Sequence, residues 1–333
     1  MGTGIVSLAL HGAGYPLMAR ALFWLNAGVY AILAILLLIR ALRYPAHLAA
    51  DFRSHARAPG FFTLVAAPCV LGNQCVSLLG ASVAGLALWV VGALCWLALT
   101  YAMLPGLMET TVKPTLEEGI NGSWLLVVVG TQAVSVLACL LVPPLAADMA
   151  DGPLLGALAF WLVGSMLYIW LIALIFQRIV FLPLPPDEVT PPYWINMGAM
   201  AISTLAGTRL ISEAGRTTLL TELLPFVKGM TLLFWATASW WIPILLALGT
   251  WRHLRQRVPL TYEHGYWAVV FPLGMYAVCT QNVIGVFRLP PLEPIAAVFV
   301  RIALVAWGLT FIGLVRYLIA IVTRAAPTAA TLP

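Results

Sequence analysis

The sequence predicts an all-α, polytopic membrane protein with about ten transmembrane helices arranged as five helical hairpins. Of its 333 residues, 62% are hydrophobic and only 9% are charged, which is too apolar for a soluble domain of this length. Apolar segments long enough to span a bilayer recur along the whole chain. Alternate segments begin 60 to 72 residues apart, which indicates a helical hairpin repeated five times.

Nine segments have the length of a membrane span, which is about 20 residues at a rise of about 1.5 Å each. They cover residues 17–42, 61–80, 82–104, 124–143, 153–181, 193–212, 223–250, 265–286 and 295–322. A tenth segment, residues 1–10, reaches only about 15 Å as a helix. It is either a half-span or the end of a helix that starts upstream of Met1, and the second interpretation is favoured. It lacks the charged start of a signal peptide. We expect one transmembrane domain over residues 1–333.

The odd-numbered spans carry small and polar residues, several of them one or two turns apart, so that each forms a narrow polar stripe. Helix–helix contact is the ordinary role of such residues in membranes. One stripe in each hairpin nevertheless favours five helices around a central pore. The even-numbered spans are richer in bulky aliphatic side chains and tryptophan, as expected of helices that face lipid. The candidate pore-lining residues are Thr3, Gly4, Ser7, Asn73, Ser77, Gln132, Ser135, Asn196, Ser203 and Gly274.

The ninth span contains the pair Phe271 and Pro272 within an apolar run that has no ionisable side chain. Proline cannot donate a backbone hydrogen bond, so a kink and a free carbonyl are expected at this point. A free carbonyl in a membrane has to be satisfied by protein or by water in a cavity, which favours an inward-facing helix. Residues on the same face are mostly smaller than the Phe271 ring. Phe271 could therefore plug a lumen, although plain packing is the ordinary role of such a residue.

The distribution of basic residues predicts how the chain is oriented in the membrane. With the N-terminus inside, 11 of the 17 Lys and Arg residues fall on the inner side, as the positive-inside rule requires. Both termini are then cytoplasmic, in a plasma or inner membrane. The net charge of +5 thus reflects topology and contact with anionic lipid, and no nucleic-acid-binding pattern appears. The six outer basic residues are Arg20, Arg209, Arg216, Lys228, Arg288 and Arg301.

Acidic residues on the outer side could neutralise most of these basic residues by local pairing. Lys228 and Arg301 are the exceptions, because each sits a turn or more inside its span and must snorkel outward or meet an anion. They are candidate anion contacts.

Enzyme classes lack their characteristic residues. The histidines lie in loops or at span ends, so neither a buried haem pair nor a zinc-binding HExxH helix is present. No carboxylate pair lies within a span, and no GxSxG motif occurs. The five cysteines all fall inside spans, where they are expected to pack as small apolar residues. We therefore expect no enzyme activity and no cofactor.

Four stretches together resemble one family over nearly the whole chain. They are MGTGIVSLAL at the N-terminus, PPYWINMGAMAISTLAG around the NMGA motif, PFVKGMTLLFWATASWWIP, and YWAVVFPLGMYAVCT with its W-x-x-x-F-P-L-G run. They are similar to the tellurite-resistance/dicarboxylate transporter family of the voltage-dependent anion channel superfamily. That family includes fungal malate permeases, sulfite efflux pumps and the slow anion channels of plant guard cells.

The resemblance implies ten helices, with the odd-numbered ones lining a pore in each subunit of a homotrimer. It also implies that a phenylalanine of the ninth helix, here Phe271, occludes the pore. Family members have sequence before MGTG that completes the first helix. The partners expected are small anions and membrane lipid: C4-dicarboxylate, tellurite or sulfite-like oxyanions, chloride or nitrate. A proton-coupled dicarboxylate permease and a non-transporting membrane subunit that binds a partner or ligand remain alternatives.

Overall fold

The computed structural model describes residues 1–143 and 149–325, and this part of the chain is helical without a β-strand. Ten of its helices match the predicted segments to within a few residues, and two short ones, α3 and α6, lie in predicted loops. The helices of the described residues are α1 (Gly2–Gly12), α2 (Pro16–Arg43), α3 (Pro45–Phe52), α4 (Thr63–Leu79), α5 (Ser82–Glu109), α6 (Leu116–Gly119), α7 (Leu126–Leu141), α8 (Asp151–Phe181), α9 (Ile195–Ser212), α10 (Thr218–Thr250), α11 (Trp267–Phe287) and α12 (Glu293–Ala325).

Within the described ranges, eight helical segments are long and apolar enough to cross a membrane. This confirms the polytopic membrane class. α1, with 11 residues, and α9, whose sequence is less apolar, are outside that set of eight. The count of ten spans and the single domain over residues 1–333 therefore stay predictions.

The ten longer helices form five hairpins whose first helices make a closed ring. The hairpins are α1–α2, α4–α5, α7–α8, α9–α10 and α11–α12, and the two helices of each pack against one another. Their first helices contact in the order α1, α4, α7, α9 and α11, and α11 packs back against α1. We call these five helices the inner ring, and α2, α5, α8, α10 and α12 the outer helices.

Burial separates the two sets of helices. In the inner ring, 67% to 83% of the most apolar stretch of α4, α7 and α11 is buried, against 17% to 39% in the outer helices. The exposed side chains of the outer helices are mainly large aliphatic and aromatic ones. A surface of this kind is stable in lipid and not in water. The expected lipid-facing character of the even-numbered spans is confirmed in this respect.

Neighbouring hairpins are joined by a hydrogen bond that recurs five times around the ring. In each case a side-chain N–H of an outer helix donates to the inner-ring helix of the next hairpin, with donor–acceptor distances from 2.7 to 3.1 Å. Four donors are indoles and the fifth is an amide. The pairs are Asn26 with Gln74 Oε1, Trp96 with Thr131 Oγ1, Trp161 with the Ser203 carbonyl, Trp235 with Thr280 Oγ1, and Trp307 with Thr3 Oγ1.

Glycine allows the first and last inner-ring helices to close the ring. A Cβ atom at Gly274 of α11 would lie 2.8 Å from Ile5 Cγ2 on α1 and 3.4 Å from Val6 Cγ2. Contacts under 3.0 Å are not tolerated without movement of the neighbour, and a branched Ile side chain in a packed helix interface has little freedom to move. Gly274 therefore sets how closely α11 approaches α1.

We predict that Thr131→Val destabilises the ring. The substitution keeps the shape of the side chain but leaves the Trp96 indole N–H, in a buried position, without its acceptor. The expected loss is about 1 kcal/mol, measured as a lower thermal unfolding temperature in detergent. Thr237→Val is the matched control, because Thr237 is half-buried on the outer helix α10 and, among the described residues, its hydroxyl donates only to the Leu233 carbonyl of its own helix. Equal unfolding temperatures for the two variants would contradict a stabilising role for these hydrogen bonds.

A second prediction compares two glycines of α11. Gly274→Ala should lower the unfolding temperature through overpacking against Ile5, at a cost of about 1–3 kcal/mol. Gly285→Ala adds the same methyl group to the same helix at a point where nothing lies within 4 Å, and we expect it to be neutral or slightly stabilising. If the two variants unfold together, the α1–α11 contact is looser than the structure indicates.

Candidate functional site

Two sides of α11 around Phe271 are occupied by its neighbours in the inner ring. On one side Gly274 faces Ile5 of α1. On the other side Pro272 packs against Gly198 of α9, where a Cβ atom would lie 2.8 Å from Pro272 Cγ. At about 100° per residue, these contacts lie on opposite flanks of Phe271. The ring of Phe271 therefore lies between the α1 side and the α9 side of its helix.

The third side of α11 faces the outer helices. Thr280 accepts the hydrogen bond of Trp235 on α10, and helical spacing places Thr280 about 180° from Phe271. The sector that remains faces the axis of the ring, and it carries Phe271, Met275 and Val278. Phe271 is 3% exposed and Met275 is 1% exposed. Because Gly274 faces Ile5 of α1, Met275 is the residue one turn from Phe271 that shares its face.

α11 continues as a helix from Trp267 to Phe287 through Pro272. The proline ring fits over Gly198, and Gly2 of α1 fits in the same manner against Trp267, with a Cβ distance of 3.1 Å to Trp267 Cε3. The three motifs that carry the family resemblance, MGTG, NMGA and W-x-x-x-F-P-L-G, thus meet around Phe271. Their small residues permit the close approach of α1, α9 and α11.

The axis-facing part of α7 is aliphatic. α7 contacts α4 through Gly130, α5 through Thr131, and α8 through Gln132. The sector that remains faces α9 and the axis, and helical spacing places Val129 and Val136 there. At these two positions α7 therefore has aliphatic side chains.

Several candidate pore-lining residues direct their polar atoms away from the axis. Ser7 donates to the Ala19 carbonyl of α2, at 2.7 Å. Gln132 and Ser135 donate to carbonyls of α8, at 3.1 and 2.7 Å, and Thr3 accepts from α12. Ser203 donates to the Ala199 carbonyl of its own helix. These contacts favour the helix-packing interpretation of those residues.

The other candidates on the inner ring differ from these. Gly4 packs tightly, since a Cβ atom there would lie 2.7 Å from Val70 Cγ1 and 2.9 Å from Asn26 Nδ2. Asn73 accepts a hydrogen bond from Ser77, and Ser77 is half-buried.

The side chain of Asn196 is fully buried, and neither its Nδ2 nor its Oδ1 has a partner among the described residues. Its backbone carbonyl accepts a long hydrogen bond from Tyr168 of α8.

Lys228 and Arg301 do not join the other candidates. Lys228 belongs to α10 and Arg301 to α12, and both side chains are exposed on these outer helices. The structure therefore does not bring either residue to Phe271. This exposure agrees with the alternative that both side chains snorkel outward to the membrane surface.

Relatives of this chain occur in bacteria and archaea. The chain is 39% identical over 158 residues to the uncharacterized membrane protein Rv1735c of Mycobacterium tuberculosis, which covers 47% of this chain and 80% of that protein. It is 25% identical over 292 residues to the uncharacterized transporter MJ0762 of Methanocaldococcus jannaschii, covering 86% of this chain and 83% of the transporter. A second transporter of that organism, MJ0576, is 24% identical over 318 residues, covering 94% and 89%.

The family model described as voltage-dependent anion channel (SLAC1) matches residues 1–315. This match covers the first four hairpins and the fifth as far as residue 315, and it includes the three motifs around Phe271. It agrees with the family resemblance of the sequence, and the family consists of channels and transporters rather than enzymes. The chain, an integral membrane protein whose five helical hairpins place their first helices in a closed ring, belongs to the voltage-dependent anion channel family.

Proposed function

We propose that this protein conducts small anions along the axis of the inner ring and that Phe271 closes this path. The observation that carries the proposal is the position of Phe271 on the sector of α11 that lies between its contacts with α1 and α9 and opposite its contact with Trp235 of α10. An aromatic ring in a narrow apolar passage blocks an ion sterically and excludes the water that the ion needs. A change of its χ1 rotamer, or a small movement of α11, would open the path.

Weak, distributed contacts would then select anions. The axis-facing side chains of α7 and α11 named above are mainly aliphatic, so a passing anion finds few fixed charges there. The five inner-ring helices are parallel, because each is followed by an outer helix that returns the chain. Their N-termini therefore gather at one end of the ring, where the helix dipoles supply partial positive charge. This arrangement favours anions over cations without binding them tightly.

The substrates we propose are small anions of low chemical specificity: C4-dicarboxylates, tellurite or sulfite-like oxyanions, chloride and nitrate. We also propose a homotrimer in the plasma or inner membrane, with both termini cytoplasmic. The distribution of basic residues supports this orientation. The large apolar surface of the outer helices can be covered by lipid or by neighbouring subunits.

Phe271→Ala tests the gate. Removing the ring should raise anion conductance by tenfold or more in planar bilayer or oocyte recordings, because both the steric block and the dewetted segment are lost. Phe271→Leu, with a smaller apolar side chain, should give an intermediate conductance. Phe176→Ala is the matched control, because Phe176 is exposed on the outer helix α8. Wild-type current in a correctly inserted Phe271→Ala protein would refute the gate.

Reversal potentials of Phe271→Ala should distinguish a passive anion path from proton-coupled uptake. We expect the reversal potential to shift with the gradient of the permeant anion and to stay constant when a pH gradient is imposed. Substituting malate, sulfite, nitrate and chloride in turn ranks their permeabilities. A reversal potential that follows the proton gradient would support the dicarboxylate permease instead.

A further inference from the structure

A basic residue lies on the inner ring near the end at which α9 and α11 terminate. Arg209 stands 11 residues beyond Gly198 on α9, which is about three full turns, so both residues lie on nearly the same side of the helix. Gly198 faces Pro272 of α11. Arg209 therefore lies on the α11 side of α9, about 16 Å further along the ring. We call this end of the ring the C-terminal mouth.

Asn282 lies at the same level on the neighbouring helix. It is 11 residues beyond Phe271 on α11, as Arg209 is beyond Gly198 on α9, and helical spacing places it over Phe271 on the axis-facing side. Asn282 is half-buried and donates to the Val278 carbonyl of its own helix. Arg209 is also half-buried. An amide and a guanidinium thus flank the mouth of the path that Phe271 closes.

The acidic residue closest in sequence to Arg209 is engaged elsewhere. Glu213 forms an ion pair with Arg216, in which Arg216 Nε lies 2.9 Å from a Glu213 carboxylate oxygen. Among residues 1–143 and 149–325, no carboxylate oxygen lies within 4 Å of the Arg209 guanidinium. The buried Nε of Arg209 also has no hydrogen-bond partner there. Among these residues Arg209 therefore makes no direct ion pair, although its charge interacts with that of Glu213 at longer range, and its N–H donors are available to a ligand.

We infer that Arg209 is an anion-binding residue at the C-terminal mouth, where it holds a permeant carboxylate or inorganic anion before or after passage beside Phe271. The inference rests on the proposed conduction path. A guanidinium offers planar, paired N–H donors that suit carboxylates and oxyanions. Half-burial strengthens its field relative to bulk water but keeps the site weak enough to release its ligand. Lys228 and Arg301, on outer helices, take no part in this binding.

The test uses the full-length protein carrying Phe271→Ala, so that current is measured without the gate. Arg209→Cys in this background should raise the half-saturating anion concentration by roughly three- to tenfold, the effect of losing one partly screened charge contact. A cationic methanethiosulfonate reagent should then restore the lower half-saturating concentration, and an anionic one should raise it further. Arg301→Cys, treated in the same manner, is the matched control and should show no change. Phe271→Ala without an added cysteine controls for modification of the native cysteines.

The outcomes separate this inference from the proposed function. If Phe271→Ala itself carries no anion current, conduction along the axis is refuted and the mouth site with it. If Phe271→Ala conducts but Arg209→Cys has the same half-saturating concentration and neither reagent changes it, only the role of Arg209 is refuted. Should Arg209→Cys fail to insert, Arg209→Lys and Arg209→Gln replace it. The lysine variant should then retain the half-saturating concentration and the glutamine variant should raise it, and equal values would overturn the inference.

Discussion

The fold depends on the requirement that a polar N–H group inside a membrane protein finds an acceptor. In each hairpin the outer helix presents an indole or amide N–H that cannot be left facing lipid without a cost of about 1–3 kcal/mol. Each of these donors is satisfied by the inner-ring helix of the next hairpin. Because the fifth donor, Trp307, reaches back to Thr3 on α1, the same bond that joins neighbours also closes the ring. These bonds are directional, and therefore help to fix which helices are adjacent as well as how strongly they associate.

This use of polar side chains has a consequence for the axis. On α7, Thr131, Gln132 and Ser135 bond to the outer helices, where they accept or donate hydrogen bonds, and these polar groups are no longer available to a passing ion. The axis-facing sectors are left to side chains such as Val129, Val136 and Met275, with Phe271 among them. The conduction path that we propose would therefore be apolar at these positions, and one aromatic ring could close it, because a small loss of width is enough to expel water. In the proposed path, the polar side chains of Arg209 and Asn282 at the C-terminal mouth gain importance for the same reason.

Small residues and one proline explain why the three family motifs belong together. Gly2, Gly198 and Gly274 each mark a point where another helix approaches too closely for a Cβ atom to fit without adjustment. Pro272 supplies the rigid ring that fills the space over Gly198. These contacts hold α1 and α9 against the two flanks of α11, and this leaves Phe271 a single direction in which to point. The motifs therefore specify the position of the phenylalanine, although only one of them contains it.

The sequence by itself determined the membrane class, the bounds of the long helices and the distinction between inner and outer helices. These properties follow from local composition and periodicity, which a single segment carries on its own. Only the tertiary structure decided what the polar residues do. A stripe such as Thr131, Gln132 and Ser135 has the same spacing whether it faces water or a neighbouring helix, and the indoles and carbonyls that satisfy it lie 22 to 35 residues away. For the same reason the sequence could not show that Arg209 makes no direct ion pair among the described residues, because Glu213 is near it in the chain but is paired with Arg216.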